Sequence, residues 1–108
     1  AMYLKTPGQQ LLFIGLDIIG VTKAMHTDVI HRLTSRGFTS SEVIVSATHT
    51  HAGPGGLSDN LLWKLIAMDS FHKDLYQRIL DQIVATVDEA IAAAAEAELH
   101  TLSFDTRG

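Results

Sequence analysis

The chain has no cysteine among its 108 residues, so neither a disulfide framework nor a thiolate metal site is open to it. It also has no excess of positive charge. Eight Lys and Arg stand against twelve Asp and Glu, for a formal net charge of -4. The basic residues are scattered, which excludes the clustered cationic face that binding to phosphates demands. Nucleic acid is therefore not an expected partner. Proline occurs only twice and aromatics make up 6% of the chain, beside 46% hydrophobic residues; that balance excludes disordered and fibrous classes. The longest apolar run, residues 11–19, is interrupted by Gly15 and Asp17. It is far shorter than the ~20 residues of a membrane-spanning helix. The N-terminus shows no charged region leading into an apolar stretch and a small-residue cleavage site, so no signal peptide is read.

What remains is a chain of one-domain length, able to bury about two-thirds of its unfolded surface. Residues 10–20 are nearly continuous aliphatic sequence between Pro7-Gly8 and Gly20, the habit of a strand buried on both faces of a parallel sheet. Thr22 offers a helix N-cap, and Met25, Val29 and Leu33 form one apolar stripe on a helix that stops at Gly37. Residues 42–47 make a second, β-branched strand. Residues 58–67 read as a short helix capped by Ser58 or Asp59. From Ser70 the pattern strengthens: Phe71, Leu75, Ile79, Ile83, Val87 and Ile91 recur every four residues, and the alanines after Ile91 extend the expected helix to about Ala97. Residues 99–106 alternate as a third strand. The expected fold is α/β in the order β-α-β-α-β, with a mostly parallel sheet flanked by helices.

In such sheets ligands bind beyond the carboxyl ends of the strands, and the chemistry of this chain lies there. Residues 48–56, Thr-His-Thr-His-Ala-Gly-Pro-Gly-Gly, follow directly on the second strand. On an extended backbone side chains at i and i+2 point to the same side, with Cα atoms about 6.5 to 7 Å apart, so His49 and His51 are expected to share one pocket. Neutral imidazole nitrogens are common Zn²⁺ ligands, and a catalytic zinc takes about three protein ligands and an open position. Gly53-Pro54-Gly55-Gly56 supplies a sharp turn and close substrate approach, and Ser46, Thr48 and Thr50 can orient the imidazoles. Asp17 interrupts the first strand near its carboxyl end. It serves either as a partner of the His pair or as a cap of the turn that follows. His26, His31, His72 and His100 read as surface positions, and Lys23, Arg32, Arg36, Lys73 and Arg78 as solvated helix charges. Trp63 and Phe71 read as core.

The segments Leu16-Asp17-Ile18-Ile19-Gly20 and Val43-Ile44-Val45-Ser46-Ala47-Thr48-His49-Thr50-His51-Ala52-Gly53-Pro54-Gly55-Gly56, in that order and with a long helix behind them, resemble the N-terminal catalytic domain of neutral/alkaline non-lysosomal ceramidases. Ala52 stands where members usually carry Ser. The resemblance implies that residues 1–108 form one partial domain, the N-terminal part of a larger catalytic domain. It further implies a zinc-dependent amidase that cleaves the N-acyl bond of ceramide, or of a related N-acyl lipid, with zinc-bound water as nucleophile. His49 then corresponds to the family's first zinc ligand and His51 to the active-site His beside the scissile amide, with Asp17, Thr48, Gly53 and Gly55 around them. The remaining ligands, a His, a Glu and a Tyr, are expected outside the chain. A ceramide-like lipid amide is the implied partner, and the resemblance favours a secreted, periplasmic or membrane-surface location. Two other readings compete. One is a non-catalytic α/β module that associates with its own copies through a sheet edge or the long helix. The other is a different metal-dependent hydrolase; its His-x-His-x-Asp-His form fails, because Gly53 and Pro54 occupy the last two places.

Overall fold

The computed structural model describes residues 1–67 and 70–104. Three strands and three helices follow in the order β1 (Met2–Thr6), β2 (Gln9–Leu16), α1 (Lys23–Leu33), β3 (Val43–Ala47), α2 (Leu61–Ala67) and α3 (Lys73–Ala92). The order is thus β-β-α-β-α-α and not the expected β-α-β-α-β. The sheet runs β1-β2-β3, with β1 antiparallel to β2 and β3 parallel to it. It is mixed where a mostly parallel sheet was expected.

Both differences have local causes. Pro7 and Gly8 occupy the central positions of a two-residue turn, since Thr6 pairs with Gln9. Pro presets φ at the first position and Gly8 takes φ +100° at the second, so the five residues ahead of the turn fold back as β1. At the other end, residues 99–104 form no strand, and Leu99, Leu102 and Phe104 are exposed. Alternation alone does not make a strand; its backbone groups need a partner edge. The last two residues assigned to that strand, Asp105 and Thr106, lie outside the described residues.

The sheet buries one face. Leu12, Ile14 and Val43 point to α1 and α3, while Ile44 and Met2 on the opposite face are 47% and 49% exposed. The expectation of β2 buried on both faces fails for that reason: its burial alternates. Helix α1 starts as expected, with the Thr22 hydroxyl accepting from Met25 N at 3.1 Å, and it buries Met25, Val29 and Leu33. Helix α3 buries Tyr76, Leu80, Ile83 and Val87. It begins at Lys73 and ends at Ala92, five residues short of the expected Ala97. The trailing alanines have propensity but no apolar face to pack, and packing supplies most helix stability in a protein. Helix α2 is capped by Asn60, whose Oδ1 accepts from Trp63 N at 3.2 Å, and not by Ser58 or Asp59.

Arg32 on α1 and Arg36 in the 3-10 turn that follows it (Thr34–Arg36), read from sequence as solvated charges, instead tie this end of α1 to α3. Arg32 pairs with Asp81 and also reaches Gln77. Arg36 holds both oxygens of Asp88, at 2.5 and 2.6 Å. Between these helices the Tyr76 hydroxyl donates to Asp28 at 2.6 Å. No helix among the described residues is long and apolar enough to cross a membrane.

Candidate functional site

The carboxyl ends of β2 and β3 lie side by side, Leu16 paired with Ala47, and Thr48 N continues the ladder by donating to Leu16 O at 3.0 Å. Beyond that bond the two chains diverge into a turn at residues 17–20 and the His segment at residues 48–56. Both histidines therefore stand on the sheet rim where an α/β site is expected.

The backbone does not remain extended through the pair. Strand β3 ends at Ala47, and His49 takes φ +61°, the one positive φ outside glycine among the described residues. The same-side rule for an extended chain is thus not what unites the histidines. A left-handed residue turns the chain between them, and the rings still meet, edge to face, with centroids 5.3 Å apart and planes at 84°. Positive φ is uncommon for residues with a side chain, though His is among those enriched there. Such conformations persist where surrounding structure holds them, and they cluster at functional sites.

Two contacts hold this one. His49 Nδ1 lies 2.7 Å from the carbonyl oxygen of Ile19. A carbonyl only accepts, so Nδ1 carries the proton and the lone pair of the neutral ring is on Nε2. Gly53 packs against the same turn. A Cβ built on it would sit 2.6 Å from the Asp17 carbonyl oxygen and 3.3 Å from Ile18 Cα. The turn and the His segment are therefore in van der Waals contact, and only glycine fits at position 53.

The other expected site residues are placed as follows. Asp17 lies one residue past the end of β2, exposed, and not within the strand; its backbone oxygen, not its carboxylate, meets the His segment. Thr48 joins the sheet through its amide, and its side chain is exposed. The Thr50 hydroxyl accepts from Ala52 N at 3.2 Å. Gly55 is exposed. His51 is exposed, beside His49.

Sequence reasoning included Gly56 in the turn but missed its contact with His72, which was read as a surface position. Gly56 adopts φ +75°, and a Cβ there would meet His72 Cδ2 at 2.5 Å and Ser70 O at 2.9 Å. His72 N donates to Gly56 O at 2.8 Å. The second end of the glycine segment is thereby fastened to the start of α3. The only signal was a run of glycines, which marks a turn without saying what it lies against. Trp63, expected in the core, is 38% exposed on α2. Phe71 does pack on the core, edge to face with Tyr76 at 5.3 Å.

As a metal site the pair offers two imidazoles. Among the described residues no group of three or more His, Asp or Glu is placed to hold a metal ion, so His49 and His51 can form one corner of a coordination sphere and not the whole.

The family described as "Neutral/alkaline non-lysosomal ceramidase, N-terminal" matches residues 2–106 of the chain. The neutral ceramidase of Mycobacterium tuberculosis is 37% identical over 93 residues, covering 83% of the chain and 14% of that protein. That of Pseudomonas aeruginosa is 31% identical over 88 residues, covering 79% of the chain and 13% of the relative. Neutral ceramidase A of Dictyostelium discoideum is 26% identical over 104 residues, covering 93% and 14%. The chain thus spans 13 to 14% of the length of these curated relatives. No solved structure matches it.

Proposed function

The chain belongs to the neutral/alkaline non-lysosomal ceramidase family, and from that premise we propose that it supplies the histidine corner of a zinc-dependent amidase. On this reading residues 1–108 are the N-terminal part of one larger catalytic domain, and the bond cleaved is the N-acyl amide of ceramide or a related N-acyl lipid. The observation that carries it is the His49 side chain: its Nδ1–H donates to Ile19 O at 2.7 Å, which makes Nε2 the lone-pair nitrogen of the neutral ring, on the rim of the sheet.

Neutral imidazole nitrogen is a good zinc donor, and a second hydrogen bond from the other ring nitrogen to a carbonyl is the usual support of such a ligand. The residues present therefore fit zinc as one corner of its site. One ligand nitrogen does not make the three protein ligands of a catalytic centre, so on this reading further donors come from elsewhere in the polypeptide. A bound zinc ion would act as a Lewis acid on the amide carbonyl and lower the pKa of water.

The residues of this chain have separable tasks. His49 Nε2 binds. His51, edge to face with His49, would hydrogen-bond the carbonyl oxygen or the departing nitrogen. Hydrolysis breaks the C–N bond, adds hydroxyl to the acyl carbon and delivers a proton to nitrogen, and on this reading His51 handles that proton. Gly53 and Gly56 hold the segment between two neighbours without side chains that would block approach.

The test uses the full-length polypeptide with ceramide in mixed micelles. His51→Gln is expected to lower kcat by about 10²- to 10⁴-fold, the usual worth of a general acid or base, with zinc content unchanged. Activity within twofold of wild type would remove His51 from the reaction.

A further inference from the structure

We infer that the turn at residues 17–20 is the positioning device of the histidine site: through the Ile19 carbonyl it fixes His49 as the Nδ1–H tautomer, and Gly53 is the latch that keeps turn and site in register. The inference rests on the reading of His49 as a metal ligand only for the use made of Nε2; the positioning itself is a property of the metal-free chain.

Three observations converge. His49 Nδ1 and Ile19 O are 2.7 Å apart across thirty residues of sequence, so the ring is oriented by a different element from the one that carries it. His49 holds φ +61°, a conformation that an L residue keeps only when neighbours over-determine it. Gly53, four residues on, closes against the Asp17 carbonyl with no space for a methyl group. The Asp17 oxygen at 2.6 Å and Ile18 Cα at 3.3 Å belong to backbone and cannot rotate away; the third neighbour, Thr50 Cγ2 at 3.3 Å, is a side-chain methyl. A Cβ at position 53 would push the turn off the His segment and lengthen the bond that fixes the ring. The turn acts through two backbone carbonyls, that of Asp17 against Gly53 and that of Ile19 against His49.

The ring nitrogens report this directly. A long-range ¹H–¹⁵N spectrum of the ¹⁵N-labelled, metal-free chain, recorded well above the ordinary imidazole pKa, is expected to show His49 with a protonated Nδ1 and an unprotonated Nε2. His51 serves as the internal comparison. Gly53→Ala is expected to shift His49 toward an averaged pair of tautomers. Gly15→Ala, whose added methyl meets nothing within 4 Å, leaves the His49 signals in place. In the full-length polypeptide Gly53→Ala is expected to weaken zinc affinity by about 10- to 100-fold, the usual cost of disturbing a ligand's supporting partner.

An averaged or Nε2–H pattern for His49 in the wild-type chain overturns the inference, whatever the variants do. A Gly53→Ala chain that keeps the Nδ1–H pattern overturns the latch. If Gly53→Ala fails to fold, the wild-type spectrum still decides. The two readings fail separately: a fixed Nδ1–H tautomer with no zinc binding in the full-length polypeptide refutes the metal assignment and leaves the positioning intact, whereas zinc binding through a His49 that shows averaged tautomers does the reverse.

Discussion

At position 49 the imidazole and its backbone make opposite demands. The side chain meets the Ile19 carbonyl through Nδ1, while the φ of +61° at the same residue is unfavourable for any residue with a Cβ. Removing the ring exposes the backbone cost by itself. His49→Gly is expected to be more stable than His49→Ala by about 1 kcal/mol, because only glycine enters the left-handed region freely. In an ordinary loop with negative φ the order would reverse. Urea unfolding of the two variants measures the difference. Gly56 behaves similarly, with φ +75° and neighbours at 2.5 and 2.9 Å from a built Cβ. Gly56→Ala is expected to cost about 1–3 kcal/mol through overpacking and strain, while Gly15→Ala stays within about 0.5 kcal/mol of the parent. The sequence marked His49, His51 and the glycine run as the site, because His-x-His at a strand end is a pattern of residue types. It could not show the left-handed turn between the histidines, nor that Ile19, an aliphatic residue, matters through its carbonyl. Backbone atoms carry no residue-type signal.

Among the elements, the α1–α3 pair decides whether the rim is held at all, since α1 grows out of the turn that orients His49. Its strength is apolar first. Leu80 is 1% exposed, and Leu80→Ala is expected to cost about 2–5 kcal/mol. Tyr76→Phe removes the bond to Asp28 and should cost only about 1 kcal/mol, because Asp28 is exposed and regains water. Burial and the neighbouring Asp28 hold the Tyr76 phenol well above its usual range, so it stays protonated and remains a donor through neutral and mildly alkaline pH.

The Arg36–Asp88 pair is a surface contact with a defined pH signature. The Arg36 hydrogen bonds lower the pKa of Asp88 from its ordinary value. A carboxyl lowered in the folded state stabilises the fold above its unfolded pKa and loses that contribution as pH falls through the folded value. The contribution is therefore full at neutral pH and disappears on acidification below the ordinary carboxylate range. Arg36→Gln should flatten that part of a stability-against-pH curve measured by urea midpoints, leaving the neutral-to-alkaline side parallel to wild type. These ion pairs were not legible in the sequence, where Arg32, Arg36, Asp81 and Asp88 look alike as helix charges. The apolar stripes of α1 and α3 were legible, because a 3.6-residue period is written into residue spacing. Strand β1 was not, since five residues fold back only because Pro7-Gly8 turns them. The expected third strand at residues 99–106 failed for the converse reason: it had the alternation, and its described part has no partner edge.

On the scale of the whole chain, the sheet has one covered face and one on which Ile44 and Met2 are half exposed, and its rim carries two adjacent imidazoles. Both features agree with a chain spanning 13 to 14% of its curated relatives. The fold holds together a rim, and the rim holds His49 with Nδ1 against Ile19 O; on the proposed reading the remaining zinc donors are contributed elsewhere. Zinc content of the purified full-length polypeptide, wild type against His49→Ala, by elemental analysis after exhaustive dialysis, tests this most directly. Near-stoichiometric zinc in the wild type and its loss in His49→Ala, with the variant still folded, is the expected result. Equal zinc in the two proteins would contradict the assignment of His49 as a ligand and with it the proposed role of the chain.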